Sequence, residues 1–152
     1  LDAGIKWPND VVVNGHKVCG ILTEMNTEVD YINYVVIGIC INVNQKEFPE
    51  EIRDRAAAIE VQSGFRISRS QLIADIMEAF EEDYEIFLQT HDLKGLRDSY
   101  AKLLVNRDRE VCVLDPKGEF RGTGELLVER QDGSIEEVYA GEVSVRGVYG
   151  YV

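Results

Sequence analysis

Asn14 and Gly15 are the two residues that most constrain how this chain can fold. They lie between Asp10–Val13 and His16–Leu22, two runs rich in β-branched and apolar side chains. Both central residues of a type I′ turn need a positive φ, and Asn-Gly is a pair that adopts it readily. The pattern therefore predicts a two-residue β-hairpin.

A regular hairpin of this kind places a carboxylate and an ammonium on one face of the sheet. It pairs Val12 with Lys17 and Asp10 with Cys19, so these four side chains project to the same side. Asp10 and Lys17 are then diagonal neighbours, roughly 7–8 Å apart at Cα. Spacing alone favours a solvated ion pair, and a purely structural role for the hairpin is one alternative.

Net charge and hydropathy exclude two classes of partner. The 152 residues carry a net charge of −12, whereas binding to a phosphate backbone depends on clustered Lys and Arg. No apolar run approaches the roughly 20 residues of a membrane span. We therefore predict neither nucleic acid nor membrane as a partner of this segment.

The three cysteines indicate a reducing compartment. Cys19, Cys40 and Cys112 all lie in apolar runs, and none belongs to a C-x-x-C pair or a Cys/His cluster. An odd number of thiols without metal-site spacing is typical of cytoplasmic proteins, so we predict a cytoplasmic location.

Apolar periodicity divides the rest of the chain into strands and helices. Tyr31–Val43 is apolar almost throughout, which is typical of a strand covered on both faces. A short helix is predicted at Glu50–Ile59 and another at Asp92–Leu104. Ser68, with Gln71 three residues on, predicts the start of a longer helix. Its apolar stripe is predicted to pack in the core, and comprises Leu72, Ile73, Ile76, Met77, Phe80, Tyr84, Phe87 and Leu88.

From Glu110 the periodicity changes to short alternating runs with turn residues between them, which predicts a small SH3-like β-barrel. The predicted fold class is therefore α/β (α+β), with a mixed or antiparallel sheet and helices in residues 1–107 and the barrel in residues 108–152.

Three segments of the chain resemble biotin protein ligases. Lys6–Asp10 (KWPND) followed by Lys17–Glu24 (KVCGILTE) resembles the signature of that family. Val36–Val43 resembles its second nucleotide-site segment, and Gly141–Arg146 resembles the end of its C-terminal barrel. The segments keep the order that the family has.

The resemblance implies a fold related to class II aminoacyl-tRNA synthetases, of which this chain would supply the C-terminal half of the catalytic domain. It implies that biotin is activated with ATP and Mg²⁺ to biotinyl-5′-adenylate. The biotinyl group then passes to a lysine of the biotin carboxyl carrier domain of a biotin-dependent carboxylase.

The resemblance also implies roles for individual residues. Lys17 would lie between the biotin carboxylate and the α-phosphate, and Asp10 would orient it or accept a proton from the acceptor lysine. The other implied contacts are Gly20, Leu22 and Gly38, with Lys17, for biotin, and Asn9, Asn42, Lys6 and Arg146 for ATP.

Two departures from the family pattern limit what the resemblance implies. Cys40 stands where the family commonly has a second glycine. The family's loop rich in glycine and arginine, expected upstream of Leu1, is absent, so we expect the 152 residues alone to be inactive or weak. The alternatives are a non-enzymatic regulatory module that binds biotin or its adenylate and a lipoate protein ligase; a homodimer remains open.

Overall fold

The computed structural model describes residues 1–109, 111–114, 126–130, 132–138 and 144–147, and for 111–114, 126–128 and 144–147 it describes only the backbone. The chain divides into two units, Leu1–Val105 and Asn106–Val152.

Four antiparallel strands form the sheet of the first unit. They are β1 (Ala3–Lys6), β2 (Asp10–Val13), β3 (His16–Thr27) and β4 (Ile32–Ile41), and their order in the sheet is the same as in the chain. The predicted hairpin joins β2 to β3, with φ values of 49° at Asn14 and 79° at Gly15. Strand β1 is an addition to the prediction: it pairs with β2 so that Lys6 lies opposite Asp10.

One face of this sheet carries the apolar core. Val13, Val18, Cys19 and Ala57 are buried together there. Four partly buried residues pack against them: Val11, Ile21, Ile41 and Ile59. Since side chains alternate along a strand, Asp10 and Gly20 project from the other face.

The helices follow the sheet. After a 3-10 turn at Glu50–Ile52 come α1 (Ile59–Ser63), α2 (Arg69–Thr90) and α3 (Arg97–Leu103). The start of α2 is confirmed, because Ser68 Oγ accepts a hydrogen bond from the Gln71 amide at 3.4 Å. The helix predicted at Glu50–Ile59 is wrong: that stretch holds only the 3-10 turn and the first residue of α1.

The predicted burial of two apolar elements is also wrong within this chain. Strand β4 was expected to be covered on both faces, yet Val36 and Ile37, on opposite faces, are 51% and 46% exposed. The stripe of α2 was expected in the core, yet Met77 and Tyr84 are 48% and 47% exposed. Among the described residues, none packs closely enough over these surfaces to bury them.

The described residues of the second unit form two strand pairs. Strand β5 (Val111–Leu114) pairs with β8 (Ser144–Gly147), and β6 (Leu126–Glu129) pairs with β7 (Ile135–Val138), both antiparallel. The connections that would complete the predicted barrel lie outside the described residues.

Among the helices that the structure describes, none combines the length and the apolar character needed to cross a lipid bilayer. The described residues also contain no group of three or more His, Cys, Asp or Glu side chains that could hold a metal ion.

Candidate active site

A β-bulge in the hairpin determines where the polar side chains lie. Val12 pairs with Lys17 as predicted, but Val11 then pairs with Cys19, so Val18 is an extra residue on β3. Asp10 consequently lies opposite Gly20, and the predicted pairing of Asp10 with Cys19 is wrong by one residue. The side chain of the extra residue is 2% exposed and joins the core, which accounts for the bulge.

A segment distant in sequence fixes the backbone of Lys17. Its amide donates to the Arg55 carbonyl at 2.8 Å, and its carbonyl accepts from the Ala57 amide at 2.9 Å. Because both backbone groups of Lys17 are bonded on the side away from β2, the root of its side chain is held in place.

The Lys17 ammonium lies against the Asp10 carboxylate, with Nζ 2.5 Å from Oδ1. The predicted contact is therefore present despite the error in register. The Asp10 side chain is 11% exposed and that of Lys17 is 38% exposed, so one end of the ion pair is buried and the other is accessible to a ligand.

Gly20 makes the space that this lysine occupies. A Cβ built on Gly20 would lie 3.0 Å from Lys17 Nζ, 3.1 Å from its Cε and 3.6 Å from Asp10 Oδ1. The end of the lysine side chain therefore lies over the glycine. Any larger residue at this position would displace the ammonium.

Cross-strand pairing lines up four chemically distinct residues across the sheet. Lys6 lies opposite Asp10, Asp10 opposite Gly20, and Gly20 opposite Cys40. Directly opposed residues of antiparallel strands share a face. Exposure rises along the row, from Lys6 at 4% through Asp10 to the exposed Cys40. The row therefore runs from a buried cation to an open sheet edge.

The two asparagines fasten the ends of these strands. Asn9 Nδ2 donates to the Ile21 carbonyl at 2.8 Å, and the Asn9 carbonyl accepts from the Ile21 amide at 2.8 Å. The Asn42 backbone N–H donates to the carbonyl of the bulged Val18 at 2.8 Å, and Asn42 Oδ1 accepts from Gln45 Nε2 at 2.9 Å. The side chains of both asparagines therefore already make hydrogen bonds within the chain.

Two predicted ligand contacts lie one step further along the same face. Leu22 is opposite Gly38 in the register of β3 and β4 and is 61% exposed. Among the atoms of the described residues, a Cβ on Gly38 would meet only the Leu22 carbonyl, at 3.6 Å. Arg146 lies on β8 opposite Cys112, and its side chain is outside the described residues.

The two described cysteines differ in burial. Cys19 is on the core face, and burial raises the pKa of its thiol, with the nearby Cys40 as a second cause. A raised pKa reduces the fraction of thiolate, which is the reactive form. Cys40 is exposed on the face that carries Asp10.

Sequence reasoning missed one contributor to the site, the segment Arg55–Ala57, which carries no motif that marks it as a partner of Lys17. It identified Cys40 only as a departure from the family pattern. The pairing of Cys40 with Gly20 places it in the row, which continuing the alternation of faces into the next strand would have predicted. Chemically, the site presents the accessible Lys17 ammonium, which can neutralise an anion, beside the Asp10 carboxylate, which can accept a proton.

The chain is similar to known proteins in both sequence and structure. The profile of the biotin/lipoate A/B protein ligase family matches residues 2–42. The bifunctional ligase/repressor BirA of Bacillus spizizenii is 38% identical over 157 residues, and that of Escherichia coli is 30% identical over 149 residues. The matches cover 95% and 93% of this chain but 47% and 46% of the relatives, so the chain spans about half their length.

Solved structures give the same result. The apo structure of biotin protein ligase from Aquifex aeolicus aligns with a TM-score of 0.79 at 29% identity, covering 95% of this chain and 65% of that one. The complex of the Aquifex ligase with biotin and ATP aligns with a TM-score of 0.76 at 30% identity, covering 95% and 62%.

Proposed function

The chain belongs to the biotin protein ligase family, and from that premise we propose that it supplies the site at which biotin is activated with ATP and passed to a protein lysine. The observation that carries the proposal is the contact of Lys17 with Asp10 on the open face of the sheet. The similar ligase from Aquifex aeolicus, solved in complex with biotin and ATP, supports the choice of substrates.

The first step joins two anions. A carboxylate oxygen of biotin attacks the α-phosphorus of ATP, an acid anhydride forms, and the bond to the leaving pyrophosphate breaks. Lys17 would stabilise the negative charge that gathers between the carboxylate and the phosphate, because a fixed cation costs no reorganisation during the reaction. The buried Asp10 orients that cation.

The second step transfers the biotinyl group. The amine of the acceptor lysine attacks the biotinyl carbonyl carbon, the new amide bond forms, and AMP leaves. The amine must lose a proton, and the Asp10 carboxylate is a base beside the reacting atoms. The acceptor we propose is the biotin carboxyl carrier domain of a biotin-dependent carboxylase.

The remaining residues would bind the substrates. Gly20, Leu22 and Gly38 would lie along biotin, and Leu22 offers an exposed apolar surface for its acyl chain. Asn9, Asn42 and Arg146 would contact ATP. Lys6 is 4% exposed, so we propose that it contributes to the field around Asp10 and the phosphates. Magnesium enters as part of the MgATP substrate.

We propose further that residues 1–107 are the C-terminal half of a catalytic domain related to class II synthetases, and that residues 108–152 are an SH3-like barrel. The antiparallel sheet of the first unit and the pairing of β5 with β8 support this division. A cytoplasmic location follows from the same proposal, and a homodimer remains open.

Biotin-dependent exchange of labelled pyrophosphate into ATP tests the proposal directly. We expect exchange that requires biotin, weak with the 152-residue chain and strong with a longer gene product that contains it. Exchange with lipoate in place of biotin would indicate the lipoate ligase alternative. Biotin binding by calorimetry without exchange in either protein would indicate the regulatory module and contradict the proposal.

Gly20→Ala should lower the exchange rate while leaving the fold intact. The added methyl group meets the flexible end of Lys17 at about 3 Å rather than backbone, so the lysine moves and the sheet does not. A misplacement of about 1 Å at a reacting group costs on the order of 100-fold in rate. Steady-state exchange and urea unfolding measure the two effects.

Gly38→Ala is the matched control. Its methyl group makes ordinary contact with the Leu22 carbonyl and does not reach Lys17, so we expect a changed KM for biotin with a nearly unchanged kcat. Equal loss of kcat in both variants would show that Gly20 does not act through the lysine.

A further inference from the structure

Four residues on the Asp10 face of β3 and β4 form a small trough. Gly20 lies opposite Cys40, and Leu22 lies opposite Gly38. Gly20 and Gly38 therefore lie on one diagonal of this group of four, and Cys40 and Leu22 lie on the other. Since glycine has no side chain, the surface is low along the glycine diagonal and raised on both sides of it.

The trough ends at the ion pair. The Lys17 ammonium lies 3.0 Å from the Cβ position of Gly20. Opposed residues have Cβ atoms about 4.5–5.5 Å apart, so the Cβ of Cys40 lies no more than about 8.5 Å from that ammonium. Lys17 covers the Gly20 end of the trough, so an aliphatic chain resting on Gly38 would bring a terminal carboxylate to the ammonium.

We propose that Cys40 forms one wall of this trough, opposite Leu22, and limits the width of the carboxylic acids that reach Lys17. The inference rests on the proposed function and assigns a specificity-determining residue to it. Cys40 is exposed, and both its cross-strand neighbour and its neighbour two residues back along the strand are glycines. Its small polarizable side chain suits contact with methylene groups.

Protection of Cys40 from iodoacetamide by biotin tests the inference, with each cysteine followed by peptide mass spectrometry. At biotin equal to ten times its Kd, measured by calorimetry on the same preparation, Cys40 should be alkylated about tenfold more slowly, because only the unliganded protein reacts. Cys19 should stay unmodified while the fold is intact. A thiol introduced by Lys46→Cys, in an exposed loop, should react at the same rate with and without biotin.

Two further variants measure the width of the trough. Cys40→Leu should raise the KM for biotin by about tenfold or more, while Cys40→Ala should admit biotin analogues with a branched acyl chain. Biotin binding by calorimetry with an unchanged alkylation rate at Cys40 would overturn the inference and leave the proposed function standing. Absence of both biotin binding and pyrophosphate exchange would overturn the proposed function and the inference with it.

Discussion

Replacement of Lys17 by Met should lower biotin-dependent pyrophosphate exchange by about 10²–10³-fold, the effect of removing one preorganised charge-stabilising group from a transition state. Met keeps the length and much of the apolar surface of the lysine stem but has no charge. Because the backbone of Lys17 is held by Arg55 and Ala57, the strand should keep its position. The measurement is the exchange rate at saturating ATP and biotin.

The matched control is Lys46→Met, which removes an exposed lysine from a loop. We expect this variant to exchange pyrophosphate at the normal rate. That result would show that the slow exchange of Lys17→Met is not caused merely by the loss of one positive charge from a chain with a net charge of −12. Calorimetry should still detect biotin binding in Lys17→Met. If Lys17→Met turned over as fast as the unmodified protein, Lys17 would have no part in the mechanism, whatever the family to which the chain belongs.

The hairpin shows how far local sequence predicts this fold. The turn requires a positive φ at Asn14 and Gly15, and both residue types readily adopt it. The turn was therefore predictable from these two residues alone. The bulge at Val18 was not predictable, because it depends on Arg55–Ala57 and on the core. Those contacts join segments far apart in the sequence. The ion pair was found nonetheless, since the long side chain of Lys17 reaches Asp10 in either register.

Burial was harder to predict than secondary structure. The apolar stripe of α2 correctly predicted a helix, and the Ser68 and Gln71 pattern correctly located its start. A helical period, however, shows only that one face of the helix is apolar. What covers that face depends on a partner element that the period does not specify. Met77 and Val36 therefore remain exposed in this chain, in spite of patterns typical of core residues.

The sequence predicted which residues belong to the candidate site better than it predicted how their side chains are arranged. Resemblance to a known family indicated Lys17, Asp10 and Gly20 by their positions in a motif. Only coordinates show that Gly20 provides the room for the lysine, or that Lys6 lies opposite Asp10. Such relations depend on strand register, and a single bulge changes the register.

Replacement of Asp10 by Asn should impair both half-reactions and destabilise the fold. The side chain is largely buried and contacts the Lys17 ammonium. Loss of the carboxylate removes the negative charge that neutralises Lys17 on this face of the sheet. We expect the free energy of unfolding to fall by about 1–3 kcal/mol. If Asp10 is the base for the acceptor amine, transfer should slow by about 10²–10⁴-fold.

Separate assays distinguish a base from a positioning residue. Single-turnover transfer from preformed biotinyl-adenylate to the carrier domain reports the second half-reaction alone, and pyrophosphate exchange reports the first. A base predicts that transfer falls more than exchange, whereas a residue that only holds Lys17 predicts that exchange falls and transfer stays near normal. Asp54→Asn, an exposed carboxylate next to the segment that fixes Lys17, should change neither. If the Asp10→Asn protein performed both half-reactions at normal rates, the ion pair would be structural, and the Lys17 ammonium would not need its carboxylate partner to act.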